Sequence, residues 1–329
     1  HYRHDPDDSA SLTPGEVFAV LEDSAKRLWI GTRDGLSLMD PERESFTRFV
    51  HVQGDSTSLG SGGVWALLES KDGMLWVGTG SGLDLFDPDR GVVERYPANN
   101  APPSDNVQMA ARVTLSQGEI RSLVDGSDGS VWIGTNLGGL NRFDPQSKAF
   151  TAYYDFQAGP LSVTAIHKDS NGDVWVGDYV HGLIQVDPET GPLRRYTMAD
   201  GLPSNSIQSI LEDDTGNLWL GTENGLSNFE IGSGSFRNVD ASNGLRGTGW
   251  FRLGAAEKSH DGKLYFGARN GFNEVDPTRF VVDPIAPEVV LTSFEIFSRP
   301  VPIGADSPLK QDVSLYESIN LSHNQNDLT

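Results

Sequence analysis

Cysteine is missing from this 329-residue chain, which excludes disulfides, thiolate metal sites and a cysteine nucleophile. Long apolar runs are missing too. Stretches such as Val289-Val290-Leu291 fall far short of the ~20 residues that a membrane-spanning helix needs. Positive charge is scarce: 25 Lys and Arg stand against 46 Asp and Glu, a formal net charge of −21. A surface this acidic repels phosphate backbones and anionic lipid, which argues against nucleic-acid and membrane-surface binding. The histidines (His1, His4, His51, His167, His181, His260 and His323) are scattered, with no pair at metal-ligand spacing, and no Gly-x-Ser-x-Gly elbow occurs. No catalytic residue, metal or cofactor is therefore assigned. No signal peptide opens the chain. His1-Tyr2-Arg3-His4-Asp5-Pro6 reads as the tail of a repeat, so a segment of a longer protein is expected.

What the chain does contain is repetition. Leu28-Trp29-Ile30-Gly31-Thr32, followed by Gly35-Leu36 and Asp40-Pro41, returns around Trp76, Trp132, Trp175 and Trp219, and around Tyr265 in the last copy. The fifth copy lacks the Asp-Pro. Successive key aromatics are 47, 56, 43, 44 and 46 residues apart. A period in the forties with strand-like units predicts a propeller. Each unit reads as four short strands. The first, Val17-Phe18-Ala19-Val20-Leu21 and its counterparts, keeps a small residue in third place (Ala19, Ala66, Ser122, Ala165, Ser209), where backbones crowd the central axis. A polar turn such as Lys71-Asp72-Gly73 or Ser170-Asn171-Gly172 supplies the positive φ of a tight hairpin. The Trp-bearing segment is the second strand. Burying each indole removes roughly 150–250 Å² from water, an upper estimate of about 4–6 kcal/mol per blade. The third strand ends at Asp-Pro, where proline stops the ladder. The fourth, such as Phe46-Thr47-Arg48-Phe49, alternates polar residues as an outer edge should.

Two irregularities stand out. The third repeat is about ten residues too long, with the excess between Tyr96 and Ile120 in a loop that suits either binding or a tolerated insertion. The sixth has Tyr265 for Trp and Gly254-Ala255-Ala256 where a first strand is expected. After Pro277 the period ends. Asp283-Pro284-Ile285-Ala286-Pro287 reads as a linker, and Val289–Phe297, Val301–Ile303 and Ser318–Leu321 read as strand candidates. The expected organisation is propeller repeats over 1–282 and, over 283–329, a linker with the first part of a second β domain.

The pattern Glu-Asp-x-x-Gly-x-Leu-Trp-Ile-Gly-Thr-x-x-Gly-Leu, closed by Asp-Pro and Phe-x-x-Tyr, resembles the two-component regulator propeller repeat. That repeat builds the extracytoplasmic sensor region of bacterial histidine kinases, hybrid two-component systems and some diguanylate cyclases. Ala286–Phe294 and Ile319–Leu328 resemble the opening of the Ig-like domain named for its three tyrosines. The resemblance implies an all-β fold: a β-propeller of four-stranded blades followed by the beginning of an Ig-like β-sandwich. Six copies are recognisable, plus a leading scrap in which Tyr2 aligns with Phe49. The family's rings usually have seven blades, so six blades or part of a seven-bladed ring are both open. The resemblance further implies a periplasmic sensor anchored in the inner membrane, relaying ligand binding to a histidine kinase as a homodimer. A diguanylate cyclase is the alternative output.

Three motifs resemble chemistry and read more simply as structure. Asp169-Ser170-Asn171-Gly172-Asp173 suggests a calcium loop, but lacks the twelve-residue frame and distal glutamate, so a hairpin turn is expected. Glu212–Trp219 resembles a sialidase aspartate box, a structural motif. Repeated Asp-Gly-x-Leu-Trp is also similar to streptogramin-lyase propellers. A lyase would need a basic residue and metal-binding carboxylates at one rim, and nothing in the sequence marks them. A ligand site at the channel mouth is the better expectation, because the frame is fixed while certain positions vary. The residue after each first-strand Val or Ile changes freely (Phe18, Trp65, Arg121, Thr164, Gln208), as do the loops between second and third strands (Arg33, Asn136, Tyr179, His181, Glu223, Asn224, Arg269). The candidate binding residues are Phe18, Arg33, Trp65, Arg121, Tyr179, His181, Gln208, Asn224, Trp250 and Arg269. Aromatics with Arg, Asn and Gln suit a small polar molecule such as an oligosaccharide. A propeller lyase and a passive protein-interaction platform are the competing readings.

Overall fold

The repeat unit folds as a four-stranded antiparallel meander, and the reason lies in its periodicity. Each apolar/polar alternation is about five residues long and is closed by a polar turn, with glycine at a positive φ in many of them. In a computed structural model of the chain, which describes residues 1–98, 109–112, 114–116, 118–153, 161–241, 244–246, 251–268, 271–280, 294–296, 299–304, 307–311 and 313, these meanders are blades set around a ring. Blade 1 comprises β1 (Val17–Glu22), β2 (Leu28–Thr32), β3 (Gly35–Asp40) and β4 (Ser45–Phe49). Blade 2 comprises β5 (Val64–Glu69), β6 (Leu75–Thr79), β7 (Gly82–Asp87) and β8 (Gly91–Pro97). Blade 3 begins with β9 (Met109–Arg112), then β10 (Ile120–Asp125), β11 (Val131–Thr135), β12 (Gly139–Asp144) and β13 (Ala149–Tyr153). Blade 4 comprises β14 (Val163–Lys168), β15 (Val174–Asp178), β16 (Gly182–Asp187) and β17 (Gly191–Tyr196). Blade 5 comprises β18 (Ile207–Glu212), β19 (Leu218–Thr222), β20 (Gly225–Glu230) and β21 (Ser235–Val239). Blade 6 has three strands among the described residues: β22 (Phe251–Lys258), β23 (Leu264–Ala268) and β24 (Gly271–Val275).

Two expectations about these elements are corrected. The sixth blade does have a first strand: β22 runs through Gly254-Ala255-Ala256, pairing Phe251 with Ala268 and Ala256 with Phe266. The register slips between those pairs, and Gly254 at φ +66° supplies the bend, which is why the segment does not alternate like its counterparts. In the third repeat, part of the excess forms β9, which pairs with β13 and adds a fifth strand to the blade's outer edge, far along the sheet from the inner strand β10.

Neighbouring blades fit by a knob in a glycine-lined hole. A Cβ added to Gly31 would lie 2.7 Å from Val64, one on Gly78 2.6 Å from Ile120 and one on Gly177 2.6 Å from Ile207, with Gly134 and Val163 alike. The glycine of the Trp strand in blades 1 to 4 is thus a clearance for the next blade's first residue. Val64, Ile120, Val163 and Ile207 are completely buried, whereas their counterpart Val17, at the seam between blades 6 and 1, is 47% exposed. Gly78→Ala is expected to lower stability by about 1–3 kcal/mol through overpacking against the β-branched Ile120. Urea denaturation of the two proteins checks it, and an unchanged midpoint would refute the fit.

The tryptophans bridge blades. Trp29, Trp76 and Trp175 meet Phe86, Phe143 and Phe229 of the following blade edge-on, with ring centroids 5.5–5.7 Å apart. In blades 1, 4 and 5 the indole N–H donates to a buried carboxylate of the preceding turn, Trp29 to Asp23 at 2.8 Å, Trp175 to Asp169 at 2.9 Å and Trp219 to Asp213 at 2.8 Å. The other oxygen of each Asp accepts from turn amides, so the suspected calcium loop at Asp169 is a hairpin turn and the aspartate-box likeness is structural. Tyr265 does not repeat this setting. It is half-buried and its hydroxyl donates to Glu274 at 2.8 Å.

On the face bearing these turns, the end of one first strand grips the neighbouring blade. Glu69 accepts from the amide and hydroxyl of Ser24, Glu212 does the same for Ser170, and Lys168 reaches the Ser127 hydroxyl at 2.7 Å. The connections between blades are also repeated. His4 Nδ1 pairs with the Leu12 carbonyl as His51 Nδ1 pairs with that of Leu59, and Arg48 and Arg95 clamp the corresponding carbonyls. Tyr2 packs on Phe46 at 5.4 Å, placing the leading residues as its alignment with Phe49 predicts.

The chain divides into two compact units, His1–Pro277 and Thr278–Thr329. In the second, β25 (Glu295–Ile296) pairs with β26 (Arg299–Pro300), and Val301 donates to the Phe294 carbonyl at 2.9 Å. Val301–Ile303 is not a strand: Pro302 has no amide to give a ladder, and Gly304 opens a turn in which its N–H donates to the Leu309 carbonyl at 2.9 Å. The linker Asp283–Pro287, most of Val289–Phe297, and Ser318–Leu328 lie outside the described residues. Among the described residues, no helix is long and apolar enough to cross a membrane.

Candidate ligand site at the bulged rim

In every one of the first five blades the first strand carries a β-bulge at the same place. Pairing runs Val17 to Thr32 and then Ala19 to Gly31, and it skips likewise at Val64/Ala66, Ile120/Ser122, Val163/Ala165 and Ile207/Ser209. The residue left out of each ladder is Phe18, Trp65, Arg121, Thr164 or Gln208. These are the positions at which the repeats vary most. A bulge re-aims its side chain and breaks the pleat, and sheets use bulges beside functional sites. The pairing of each strand's start with the end of the next places the loops after Thr32, Thr79, Thr135, Asp178 and Thr222 on this same rim.

Three of the five bulged side chains touch in sequence around the rim. Phe18 stacks on Trp65, centroids 3.9 Å apart and planes 19° from parallel. The Arg121 guanidinium lies 6.0 Å from the Trp65 ring. Arg121 is anchored from behind, its Nε and Nη2 both donating to Glu119 Oε1 at 2.9 and 2.7 Å, while Asn136 Nδ2 donates to Glu119 Oε2 at 3.2 Å. Asn136 in turn accepts from Ser162 at 3.2 Å. The Trp65 indole N–H has no hydrogen-bond partner among the described residues.

Tyr179, 40% exposed, continues the rim. The Glu223 carboxylate beside it pushes the phenol above its ordinary range, and Arg121 pulls it partly back, which places all three groups within one electrostatic neighbourhood. His181 stands two residues on, its Nδ1 2.7 Å from the buried Asp178.

Other variable positions hydrogen-bond to the scaffold. Thr164 Oγ1 donates to the Gly177 and Ile207 carbonyls, and Gln208 is buried with its amide on Ser206 at 2.6 Å. Asn224 holds the preceding connection by donating to the Pro203 carbonyl at 3.1 Å. Arg33 is on the rim but exposed, its amide on the Glu16 carbonyl. Trp250 and Arg269 lie outside the described residues. Glu119 and Asp178 contact the rim side chains Arg121 and His181 and were not among the sequence candidates. Asp178 was findable, because it breaks a run of threonines at the end of the second strand. Glu119 lies before the recognisable strand and carries no such mark. Among the described residues, no group of three or more His, Asp or Glu side chains is placed to hold a metal ion.

Four segments, residues 11–34, 58–81, 114–137 and 201–224, match the family model described as two component regulator propeller. Each runs from the connection before a blade through the bulge and the Trp strand to the rim loop. Histidine kinase P4 of Formosa agariphila is 30% identical over 126 residues, 38% of this chain and 9% of that protein. Among solved structures, the extracellular domain of a Bacteroides thetaiotaomicron protein described as a hybrid two component system, BT3049, superposes with a TM-score of 0.69 at 26% identity, over 88% of this chain and 39% of that one. The chain thus spans well under half the length of these relatives. Virginiamycin B lyase from Staphylococcus aureus shares the fold at 13% identity and a TM-score of 0.56, covering 82% of this chain and 85% of the lyase.

Proposed function

Because the chain carries two-component regulator propeller repeats, we propose that it is the ligand-sensing part of a two-component sensor, held outside the cytoplasm. The ligand is a small polar molecule, a saccharide in the first instance, bound at the bulged rim. Ligand binding changes blade packing, and the segment after Pro277 passes that change across the membrane to a histidine kinase in a homodimeric receptor. The reading rests on one observation above the rest: the bulges of the first three blades bring the variable residues Phe18, Trp65 and Arg121 together on one rim as a continuous wall. A wall of aromatic rings with anchored polar groups suits a ligand that has both C–H faces and hydroxyls. The sensor relatives and the rim point the same way, towards binding by this chain and catalysis elsewhere in the receptor.

Thermal shift against glucose, galactose, xylose, their short oligomers and the corresponding uronates tests the proposal. At least one compound is expected to raise Tm saturably without being consumed. Trp65→Ala and Arg121→Ala are expected to fold and to lose that shift, with binding weakened at least tenfold. A panel that moves nothing, or variants that respond like the parent, would refute the site. Consumption of a compound with a divalent cation would favour the lyase reading instead.

A further inference from the structure

Four blades end the second strand in threonine, and each hydroxyl donates to the glycine carbonyl that opens the third strand: Thr32 to Gly35 at 3.3 Å, Thr79 to Gly82 at 2.9 Å, Thr135 to Gly139 at 3.0 Å and Thr222 to Gly225 at 2.9 Å. Blade 4 has Asp178 there, its side chain fully buried. Oδ1 accepts two backbone N–H bonds, from Val180 at 2.8 Å and His181 at 2.7 Å, and lies 2.7 Å from His181 Nδ1. Oδ2 is buried without a partner. A carboxylate oxygen left so is unfavourable, and a hydroxyl would serve the loop, since Thr135 closes a connection of the same length in blade 3. A group that weakens the fold where a cheaper one fits its neighbours points to a role outside the fold.

That role is legible in the ring it holds. A carboxylate oxygen accepts, so a hydrogen bond across this contact puts the proton on His181 Nδ1, and in that uncharged tautomer the lone pair lies on Nε2. No hydrogen bond reaches Nε2 among the described residues, and the ring is part-exposed on the rim. We infer that Asp178 is a positioning residue that holds His181 as a hydrogen-bond acceptor for an O–H or N–H of the ligand. The inference rests on the rim being the ligand site, and it narrows the ligand chemistry. An acceptor backed by a buried carboxylate repels carboxylates and phosphates, and the Arg121 guanidinium is already committed to Glu119. The rim therefore selects a neutral, hydroxyl-rich molecule over its anionic relatives.

Long-range proton–nitrogen correlation spectra of histidine-labelled protein at pH 8 read the tautomer directly. His181 is expected to be protonated on Nδ1 and bare on Nε2. Asp178→Thr should shift the ring towards the Nε2–H form while raising Tm. An Nε2–H signal in the unaltered protein overturns the inference, as does a spectrum that Asp178→Thr leaves unchanged. The unaltered protein decides the first point even if the variant does not fold. In the saccharide panel, neutral compounds are expected to bind more tightly than the matching uronates, and His181→Ala to weaken them at least tenfold. Tighter binding of the uronates overturns the acceptor assignment. A panel without any binder removes the rim as a saccharide site and the ligand selection with it, while the spectra still decide what Asp178 does.

Discussion

Trp175→Ala is expected to lower the unfolding free energy by about 3–5 kcal/mol, a large part of what a typical domain has. The indole is completely buried, it meets Phe229 of the next blade at 5.5 Å and 68°, and it lies 6.1 Å from Tyr196 in its own blade. Truncation opens a cavity between two blades that the sheets cannot collapse into without losing register. It also strands the buried Asp169, whose Oδ2 receives the indole N–H. A second pair of variants separates these effects. Trp175→Phe keeps most of the ring packing and removes the donor, and should cost about 1–3 kcal/mol for the unpaired carboxylate oxygen. Trp76→Phe should cost less, because blade 2 has Ser70 in place of the Asp, and that hydroxyl is turned to the Met74 carbonyl and Asp72. Equal losses for the two Phe variants in urea denaturation would show that the Asp–Trp bond contributes nothing.

Asp84→Asn is expected to stabilise the protein at neutral pH and to leave it little changed in acid. Asp84 is the third residue of β7, buried, with Oδ2 receiving the Gly60 amide at 2.7 Å. Burial pushes its carboxyl up to about 6, against the opposing pull of the Gly60 bond, Arg95 and His51. The folded state therefore binds this proton more tightly than the unfolded chain does. Stability tied to it is fully present below the unfolded value near 4 and is lost as pH rises towards 6. A rise of that size corresponds to roughly 3 kcal/mol. Asn141 holds the same position in blade 3, so an amide fits the frame. Denaturation of both proteins from pH 4 to pH 8 checks the sign. The advantage of the Asn variant should grow up to about pH 6 and then level off. An advantage that shrinks over that range would mean that Asp84 is held ionised.

Much of this architecture was legible without coordinates. The spacing of Trp29, Trp76, Trp132, Trp175 and Trp219 specified equivalent units, and the Asp-Gly and Asn-Gly turns specified their hairpins, because turn geometry and side-chain alternation are local and leave their period in the chain. Variation at Phe18, Trp65 and Arg121 inside a fixed frame pointed to the rim. Gln208 and Asn224 varied in the same way and hydrogen-bond to Ser206 and the Pro203 carbonyl, since variation alone does not say where a side chain's hydrogen bonds go.

The chain by itself determined the blade, its turns and the positions free to change. Only the tertiary structure decided that Gly31, Gly78, Gly134 and Gly177 are room for the neighbouring blade, that the bulges of the first three blades bring Phe18, Trp65 and Arg121 together on one rim, and that Asp178 grips His181 with one oxygen left bare. Those facts depend on contacts between segments some forty residues apart and on the direction of individual polar atoms. No local propensity encodes either, because both arise only when separate strands are brought against one another.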